Sequence, residues 1–380
     1  MKSMKLYSFK IILLLIFVIA GGVSVAKNFD FLKKIPVAIL NILNSEKTIK
    51  INRHLTINPQ KGVYSTVWTA RAKRFNDLIR IADETEINTI VIDVKDSGVY
   101  IDDYVKDLVV ELHKKNIYAI ARIVVFQDNS QTKNHPDWYF RKGDGALWQD
   151  NRGWYWFDPS NRETWNYNVV IAKSAIDASF DEINFDYIRF PAFSKNEDVD
   201  FPPEGKIIFK NQIINEFAKY LTSELKNYDP DIKLSVDLFA YNMLKTDDLG
   251  VGQKFIELYD YFDYVSPMIY PSHYLPGNFG FNNPAEHPYE VVLGTIESGK
   301  NQLRDKIISE VGTTTSSLVN PVLEKELKKL RPWLQNFNIG AIYDSEMIRQ
   351  EKQAVYDSGL TSGWLLWNPS NIYTESALDK

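Results

Sequence analysis

Short apolar runs alternate with longer amphipathic segments from Lys61 to the end of the chain, and this alternation restricts the fold more than any other feature. It is typical of β–α units wound around a parallel sheet. We predict strands at Gly62–Thr69, Thr89–Asp96, Tyr118–Phe126, Glu182–Phe190, Lys233–Tyr241, Tyr264–Tyr270, Arg331–Phe337 and Gly363–Trp367. Helices are predicted between them, for example at Arg71–Thr85, Tyr104–Asn116, Arg162–Ala178, Ile207–Asn227 and Ser345–Ser358. Eight such strands indicate an α/β fold with a single closed (β/α)8 TIM barrel.

An open, doubly wound sheet is the main alternative fold. It would normally carry a glycine-rich phosphate-binding turn after an early strand. The segment Asp96-Ser97-Gly98 is too poor in glycine to form one. No repeat or low-complexity linker divides residues 59–380, so we treat them as one barrel domain. The seventh unit is the least regular, because Ser309–Pro321 is polar and shows no clear period.

The first residues of the chain have the pattern of an export signal. Lys2, Lys5 and Lys10 precede an apolar run, and small residues at Ser24 and Ala26 fit a cleavage site. We therefore predict that residues 1–26 are a signal peptide or an uncleaved membrane anchor. Residues 27–58 have no clear period and are predicted to be a stem or spacer. This pattern predicts an extracytoplasmic protein, either secreted or anchored to the cell membrane by its N-terminal segment.

Composition excludes several kinds of chemistry and favours one kind of ligand. A net charge of -5 gives no basic surface for nucleic acid. The chain has no cysteine, so disulfides, thiol nucleophiles and Cys-based zinc sites are excluded. Its 5 His residues are scattered, so we predict no metal site and no cofactor. Aromatic residues make up 13% of the chain, and sugar-binding sites commonly use aromatic rings as flat platforms.

Acidic residues occur where the predicted strands should be apolar on both faces. In the fourth strand Asn184 and Asp186 alternate with apolar residues, and in the fifth strand Asp237 does the same. Because side chains alternate across a strand, these residues should point into the barrel mouth. Asp93 and Lys95 on the second strand are predicted to share that face, and Arg122 on the third can also face inward. A structural ion-pair network that only closes the barrel is the alternative interpretation.

Paired carboxylates across a scissile bond are the general requirement for glycoside hydrolysis. We predict Asp186 and Asp237 as the catalytic pair. Substrate-binding residues are predicted at the same rim: Asp93, Lys95, Arg122, Asn184, Arg189, Tyr270, His273, Tyr274, Trp364 and Asn368. We also expect at least one tryptophan of the loop after the third strand to face the substrate, out of Trp138, Trp148, Trp154 and Trp156.

Several segments, taken in order, resemble a family of bacterial exported barrels described as glycosyl hydrolases and related to the α-amylase-like barrels. The segments include Lys61-Gly62-Val63-Tyr64, Ile92-Asp93-Val94-Lys95-Asp96, Phe185-Asp186-Tyr187-Ile188-Arg189-Phe190-Pro191, Ser266-Pro267-Met268-Ile269-Tyr270-Pro271-Ser272-His273-Tyr274, Arg331-Pro332-Trp333-Leu334-Gln335 and Trp364-Leu365-Leu366-Trp367-Asn368-Pro369. The resemblance implies a (β/α)8 fold and glycosidase activity, with Asp186 as the nucleophile. The α-amylase-like barrels usually carry Arg where this chain has Asn184, and Glu where it has Asp237.

Three functions are consistent with these features. The leading one is a glycoside hydrolase acting on an extracytoplasmic polysaccharide or oligosaccharide, with the membrane contacted only through an uncleaved N-terminal segment. A non-catalytic glycan-binding or cell-wall scaffold on a barrel that has lost its activity is the second. A different hydrolase, such as a polysaccharide deacetylase, is the third, but its chemistry usually needs a metal ligand cluster that the sequence does not show.

Overall fold

A computed structural model describes residues 54–194, 197–201 and 208–380. The predicted signal or anchor segment and nearly all of the predicted spacer lie outside the described residues. No helix within the described ranges is both long enough and apolar enough to cross a bilayer.

The described chain forms a closed barrel of eight parallel strands, which confirms the predicted fold. Each strand pairs with its neighbours in sequence, and the eighth strand pairs with the first to close the barrel. The strands are β1 (Gln60–Ser65), β2 (Thr89–Lys95), β3 (Tyr118–Val124), β4 (Glu182–Asp186), β5 (Lys233–Phe239), β6 (Tyr264–Ile269), β7 (Trp333–Gln335) and β8 (Gly363–Trp367). The α-helices of the described chain are Val67–Ala70, Phe75–Glu84, Asp103–Lys114, Arg162–Asp177, Lys210–Tyr228, Tyr241–Leu244, Phe255–Leu258, Pro288–Val311, Ser316–Leu327 and Ser345–Asp357.

Several predicted element boundaries differ from the structure: the fourth strand ends at Asp186 and the seventh covers only Trp333–Gln335. Two further differences have clear local causes. The first strand ends at Ser65, because the Thr66 hydroxyl accepts a hydrogen bond from the Thr69 backbone N–H at 3.1 Å and so caps a short helix. The predicted irregular segment Ser309–Pro321 is largely helical. Gly312 adopts the left-handed conformation (φ 72°) that ends the first helix, and the second begins four residues later.

Side chains divide between the two faces of the barrel wall as strand geometry requires. Ile90, Ile92, Ile183, Phe185, Leu234 and Val236 pack outward in the main core beneath the helices. The inner cluster comprises Tyr64, Val91, Tyr118, Ile120, Tyr270, Trp333, Phe337 and Leu365. Because the side-chain period of a strand is two, the residues between the outward ones point into the barrel. Asn184, Asp186 and Asp237 are among them, as predicted.

The orientation predicted for Lys95 is wrong, because β2 is irregular at its end. Asp93 pairs with Arg122, but two residues later Lys95 pairs with Ile123, so the register shifts between them. A bulge of this kind changes the face on which the next residue lies. Lys95 therefore shares the outward face with Ile123, fully buried, and its amine pairs with Asp128 at 2.8 Å.

The opposite end of the barrel is closed by a buried ion pair and by the end of the predicted spacer. Arg331 donates two hydrogen bonds to Glu182 at the start of β4, one of them at 3.1 Å, and both side chains are fully buried. The Leu55 N–H donates to Asp181 Oδ1 at 2.6 Å, and Leu55 and Ile57 pack against the inner cluster. Titratable groups at this end are thus bound to one another.

Candidate active site

Asp186 and Asp237 occupy matching positions on neighbouring strands at the C-terminal end of the barrel. Asn184 pairs with Ser235 and Phe185 pairs with Val236, so the next register position joins the two aspartates. Both face inward, where Asp186 is 5% exposed and Asp237 is 1% exposed. Asp237 therefore lies deeper, and Asp186 lies closer to solvent.

Arg122 connects the acidic side chains of three strands. It donates to Asp93 Oδ1 at 2.6 Å and to Asp186 Oδ2, and its Nε lies 3.7 Å from Asp237 Oδ2. Burial alone would lower the pKa of Arg122, but the surrounding carboxylates outweigh it and hold the pKa well above its ordinary value. The guanidinium stays charged and keeps the acids within one cluster.

Arg122 also explains the departure at Asn184. Arg122 and Asn184 are register partners on β3 and β4. A guanidinium two residues before Asp186 on the same strand is therefore replaced by one from the adjacent strand. Asn184 donates instead to Ser235 Oγ at 3.0 Å and to Asp237 Oδ1 at 2.9 Å, which fixes the deeper acid.

The two aspartates have different electrostatic environments. Burial, together with the nearby charge of Asp186, raises the pKa of Asp237 to about 8, although Arg122, Asn184 and Trp333 act in the opposite direction. Asp186 is bound by the Arg122 guanidinium and accepts a 2.6 Å hydrogen bond from the Tyr187 backbone N–H. The Asp237 carboxyl is thus kept protonated at neutral pH, and it lies beside a carboxyl group that a guanidinium and a backbone N–H hold in place.

Asp93 forms the third acidic position of the cluster. The Tyr64 hydroxyl donates to Asp93 Oδ2, while Arg122 holds the other oxygen. Burial raises the pKa of Asp93 even though both contacts act to lower it. Like Asp186, this acid accepts one hydrogen bond on each oxygen, and it supports Arg122 from the opposite side.

An aromatic wall faces the acids from the first, sixth, seventh and eighth strands. We define it as Tyr64, Tyr270, Trp333, Phe337 and Trp367. Tyr270 stacks on Trp367 with ring centroids 5.4 Å apart, and Trp333 donates its indole N–H to Asp237 Oδ1 at 2.8 Å. Burial, together with Asp237 and Asp186, raises the pKa of Tyr270 well above its ordinary value, so its hydroxyl stays protonated near the acids. Carboxylates on one side and rings on the other form an amphipathic mouth.

The segment that follows β4 places a cationic side chain, that of Arg189, at the same mouth. Tyr187 has a left-handed backbone (φ 55°), unusual for a residue with a side chain, and it turns the chain directly after Asp186. Arg189 follows, with its guanidinium carbon 4.7 Å from the ring centroids of Trp156 and Phe239. His273, in the segment that follows β6, is exposed, and its ring centroid lies 5.3 Å from that of Tyr270.

Four of the residues predicted to bind substrate lie elsewhere. Lys95 is in the buried pair already described. Tyr274 is buried against the long helix Pro288–Val311, where its hydroxyl lies 2.8 Å from that of Thr295. Trp364 is fully buried on the helix side of β8 and donates to Tyr356 at 3.1 Å. Asn368 caps the turn that follows β8, because its Oδ1 accepts from the Ser370 N–H at 2.8 Å.

The tryptophans after β3 belong mainly to a small insertion that packs on the barrel rim. Isolated antiparallel bridges such as Gln127 with Trp156 and Gln149 with Tyr155 shape this insertion. Trp138, Trp148 and Trp156 are all at least 94% buried, and Trp154 is half-buried. Of the four, Trp156 lies beside Arg189 and so borders the mouth.

Sequence reasoning named neither Tyr64 nor Trp333 nor Trp367 as site residues. Alternation could have selected Trp367, because inward-facing Leu365 on β8 places Trp367 inward and Trp364 outward. Gly62 also marks an inward-facing position on β1, because a Cβ there would lie 2.5 Å from the Leu365 side chain inside the barrel. Within the ranges that the structure describes, no group of three or more His, Cys, Asp or Glu side chains is placed to hold a metal ion.

Comparison with known proteins identifies the family. Residues 62–373 match the family model described as "Putative glycosyl hydrolase domain". The chain belongs to this family. The match covers β1 to β8 almost completely and includes the acid cluster and the aromatic wall. No curated protein matches the chain.

Two solved structures are similar to this family member, and the second of them supports its fold. A hypothetical protein from Ruminiclostridium thermocellum is 32% identical, covering 50% of this chain and 98% of its own, with a TM-score of 0.40. The GH36 alpha-galactosidase AgaB from Geobacillus stearothermophilus is 11% identical, covering 84% of this chain, with a TM-score of 0.50. The aligned region spans 40% of the length of AgaB, so the likeness shows a common barrel and nothing about substrate.

Proposed function

We propose that this glycosyl hydrolase domain cleaves glycosidic bonds with Asp237 as the general acid and Asp186 as the second carboxyl group. The observation that carries the proposal is the pair of aspartates at matching positions on β4 and β5, both held by Arg122. A general acid must hold its proton near neutral pH, and the raised pKa of the buried Asp237 fits that role.

The proposed reaction uses the two acids in sequence. Asp237, protonated near neutral pH, gives its proton to the glycosidic oxygen as the bond to the anomeric carbon breaks. Asp186 then stabilises the positive charge that develops on the sugar, either by attacking the anomeric carbon or by activating water. Arg122 lies next to both groups and holds Asp186 in position during this step.

The mouth supplies contacts suited to a sugar. Trp367, the half-buried ring of the aromatic wall, is placed to stack on the apolar face of a pyranose, and Arg189 and His273 offer polar groups beside the acids. The proposed substrate is an extracytoplasmic polysaccharide or oligosaccharide. Support for export comes from the lysine-flanked apolar run of residues 1–26, which lies outside the described residues.

The test is to measure the release of reducing ends from a broad panel of polysaccharides by the wild-type protein and two variants. Asp186→Asn and Asp237→Asn should both fold and lose several orders of magnitude in turnover, because each removes one half of the pair. Asp103→Asn, at a side chain that is 97% exposed on an outer helix, is the matched control and should keep full activity. Near-wild-type turnover in Asp186→Asn would remove Asp186 from the mechanism.

A non-catalytic glycan-binding barrel is the second candidate, and one observation favours it. Arg122 contacts all three acids, and Asp186 is only 5% exposed, so the cluster resembles a closed ion-pair network. This candidate predicts glycan binding without release of reducing ends from any member of the panel. Cleavage that is lost in Asp186→Asn would exclude it.

A further inference from the structure

Arg189 lies at the mouth but forms no contact with the acid cluster. It lies three residues beyond Asp186, and its guanidinium carbon is 4.7 Å from the ring centroids of Trp156 and Phe239 and 5.0 Å from that of Tyr187. Three aromatic rings thus surround the guanidinium, whose N–H groups lie in its plane. One of those groups donates to the Phe190 backbone carbonyl at 3.1 Å.

The other arginines inside the barrel differ from Arg189 in their partners. Arg122 and Arg331 both bind carboxylates directly. Among residues 54–194, 197–201 and 208–380, no carboxylate forms an ion pair with Arg189. Burial lowers the pKa of Arg189 although Tyr187, Asp186 and Asp150 act to raise it, whereas the pKa of Arg331 is raised by Glu182 in spite of burial. Arg189 therefore carries a largely buried charge that has no direct counter-ion in the described part of the chain.

The charges around Arg189 favour an anion at this side of the mouth. Asp150 is the nearby acid of the insertion, but its Oδ2 accepts a hydrogen bond from the Trp156 indole at 3.0 Å. Arg152 is exposed on the same insertion and has no carboxylate partner among the described residues. Burial lowers the pKa of His273 and the charge of Arg152 lowers it further, so Arg152 adds positive charge near His273.

We propose that Arg189 binds the carboxylate of a uronic acid residue of the substrate, held beside the acid cluster. The inference rests on the proposed function and specifies its substrate class as an acidic polysaccharide. A guanidinium that is packed among aromatic rings and bound to no carboxylate of the described residues matches the planar, two-oxygen carboxylate through paired N–H groups. Because Arg189 follows Asp186 by three residues, the carboxylate it binds belongs to a sugar at or next to the bond that is cleaved.

The test compares oligosaccharides that differ only in this charge. Oligomers of uronic acids in several linkages are paired with their carboxyl-reduced forms, which keep the linkage and replace the carboxylate with a hydroxymethyl group. Binding is measured by titration calorimetry in the Asp186→Asn background, so that turnover is not needed. We expect at least one uronate oligomer to bind about 10- to 100-fold more tightly than its reduced form, as expected for loss of a charge-assisted contact.

The variants locate the effect at Arg189. Arg189→Gln should abolish the preference for the uronate, and Arg189→Lys should recover part of it, since an ammonium keeps the charge but loses the paired geometry. Arg304→Gln is the control for a change in net charge, because Arg304 contacts Asn320 on an outer helix. It should leave the preference unchanged.

Four outcomes would overturn the proposal. Equal binding of uronate and reduced oligomers, with cleavage of neutral glycans, would refute the inference while the hydrolase function stands. A uronate preference that Arg189→Gln leaves intact would place the carboxylate elsewhere. Preferential binding of sulfated neutral glycans would identify another anion at Arg189. Absence of both binding and cleavage for every glycan would refute the proposed function and the inference with it.

Discussion

Asp237→Asn should stabilise the protein at alkaline pH while it abolishes turnover. Asp237 is 1% exposed, and its pKa is raised to about 8, so above that pH the folded protein holds a buried charge next to Asp186. Asparagine has nearly the shape of the protonated acid, and its carbonyl can still accept from Asn184 and from the Trp333 indole. The substitution therefore removes the charge and keeps these hydrogen bonds.

The sign follows from proton linkage. The folded pKa of Asp237 lies above the ordinary value of 3.8, so between these two values the folded state binds more protons than the unfolded state. Stability therefore falls as pH rises through this range. A difference of about four pKa units, at about 1.36 kcal/mol each, sets an upper bound near 6 kcal/mol. The charge of Arg122 and relaxation of the site reduce this bound. We expect Asp237→Asn to be about 2–3 kcal/mol more stable to unfolding than the wild type at pH 8.

The assay is urea unfolding of wild type and Asp237→Asn from pH 5 to pH 9. The advantage of the variant should be small at pH 5, grow with pH and level off above about pH 8. Asp103→Asn, at an exposed side chain, should follow the wild type at every pH. Parallel curves for wild type and Asp237→Asn would refute the reasoning, because they would mean that Asp237 titrates alike in both states.

Two further predictions concern residues whose positions the structure revised or revealed. Trp367→Ala should reduce kcat/KM about 10-fold with little loss of stability, because Trp367 lies half-buried at the mouth. Trp364→Ala, in the same strand, should lower the free energy of unfolding in urea by about 3–5 kcal/mol and leave the kcat/KM of the folded protein normal. The reverse pattern would contradict the assigned faces of β8. Lys95→Met should lower the free energy of unfolding by about 3–5 kcal/mol, because it leaves the buried Asp128 without its ion-pair partner. The double change Lys95→Met with Asp128→Leu should recover most of that loss, and additive losses in urea unfolding would argue against a direct pair.

The sequence by itself determined the barrel and the strands that carry the acids. Alternation of apolar runs with amphipathic segments is a local property, and eight such units leave few ways to bury every strand. The same two-residue period placed Asn184, Asp186 and Asp237 on the inner face. These predictions needed only the pattern within each strand, so no contact between distant residues had to be known.

Tertiary structure decided which side chains meet. The bulge in β2 turned Lys95 outward to Asp128, and register brought Arg122 opposite Asn184, where it binds acids from neighbouring strands. Trp333 and Trp367 joined the site through strand pairing around the closed barrel. The raised pKa of Asp237 has the same origin, because it comes from burial and from the charge of Asp186 that folding places beside it.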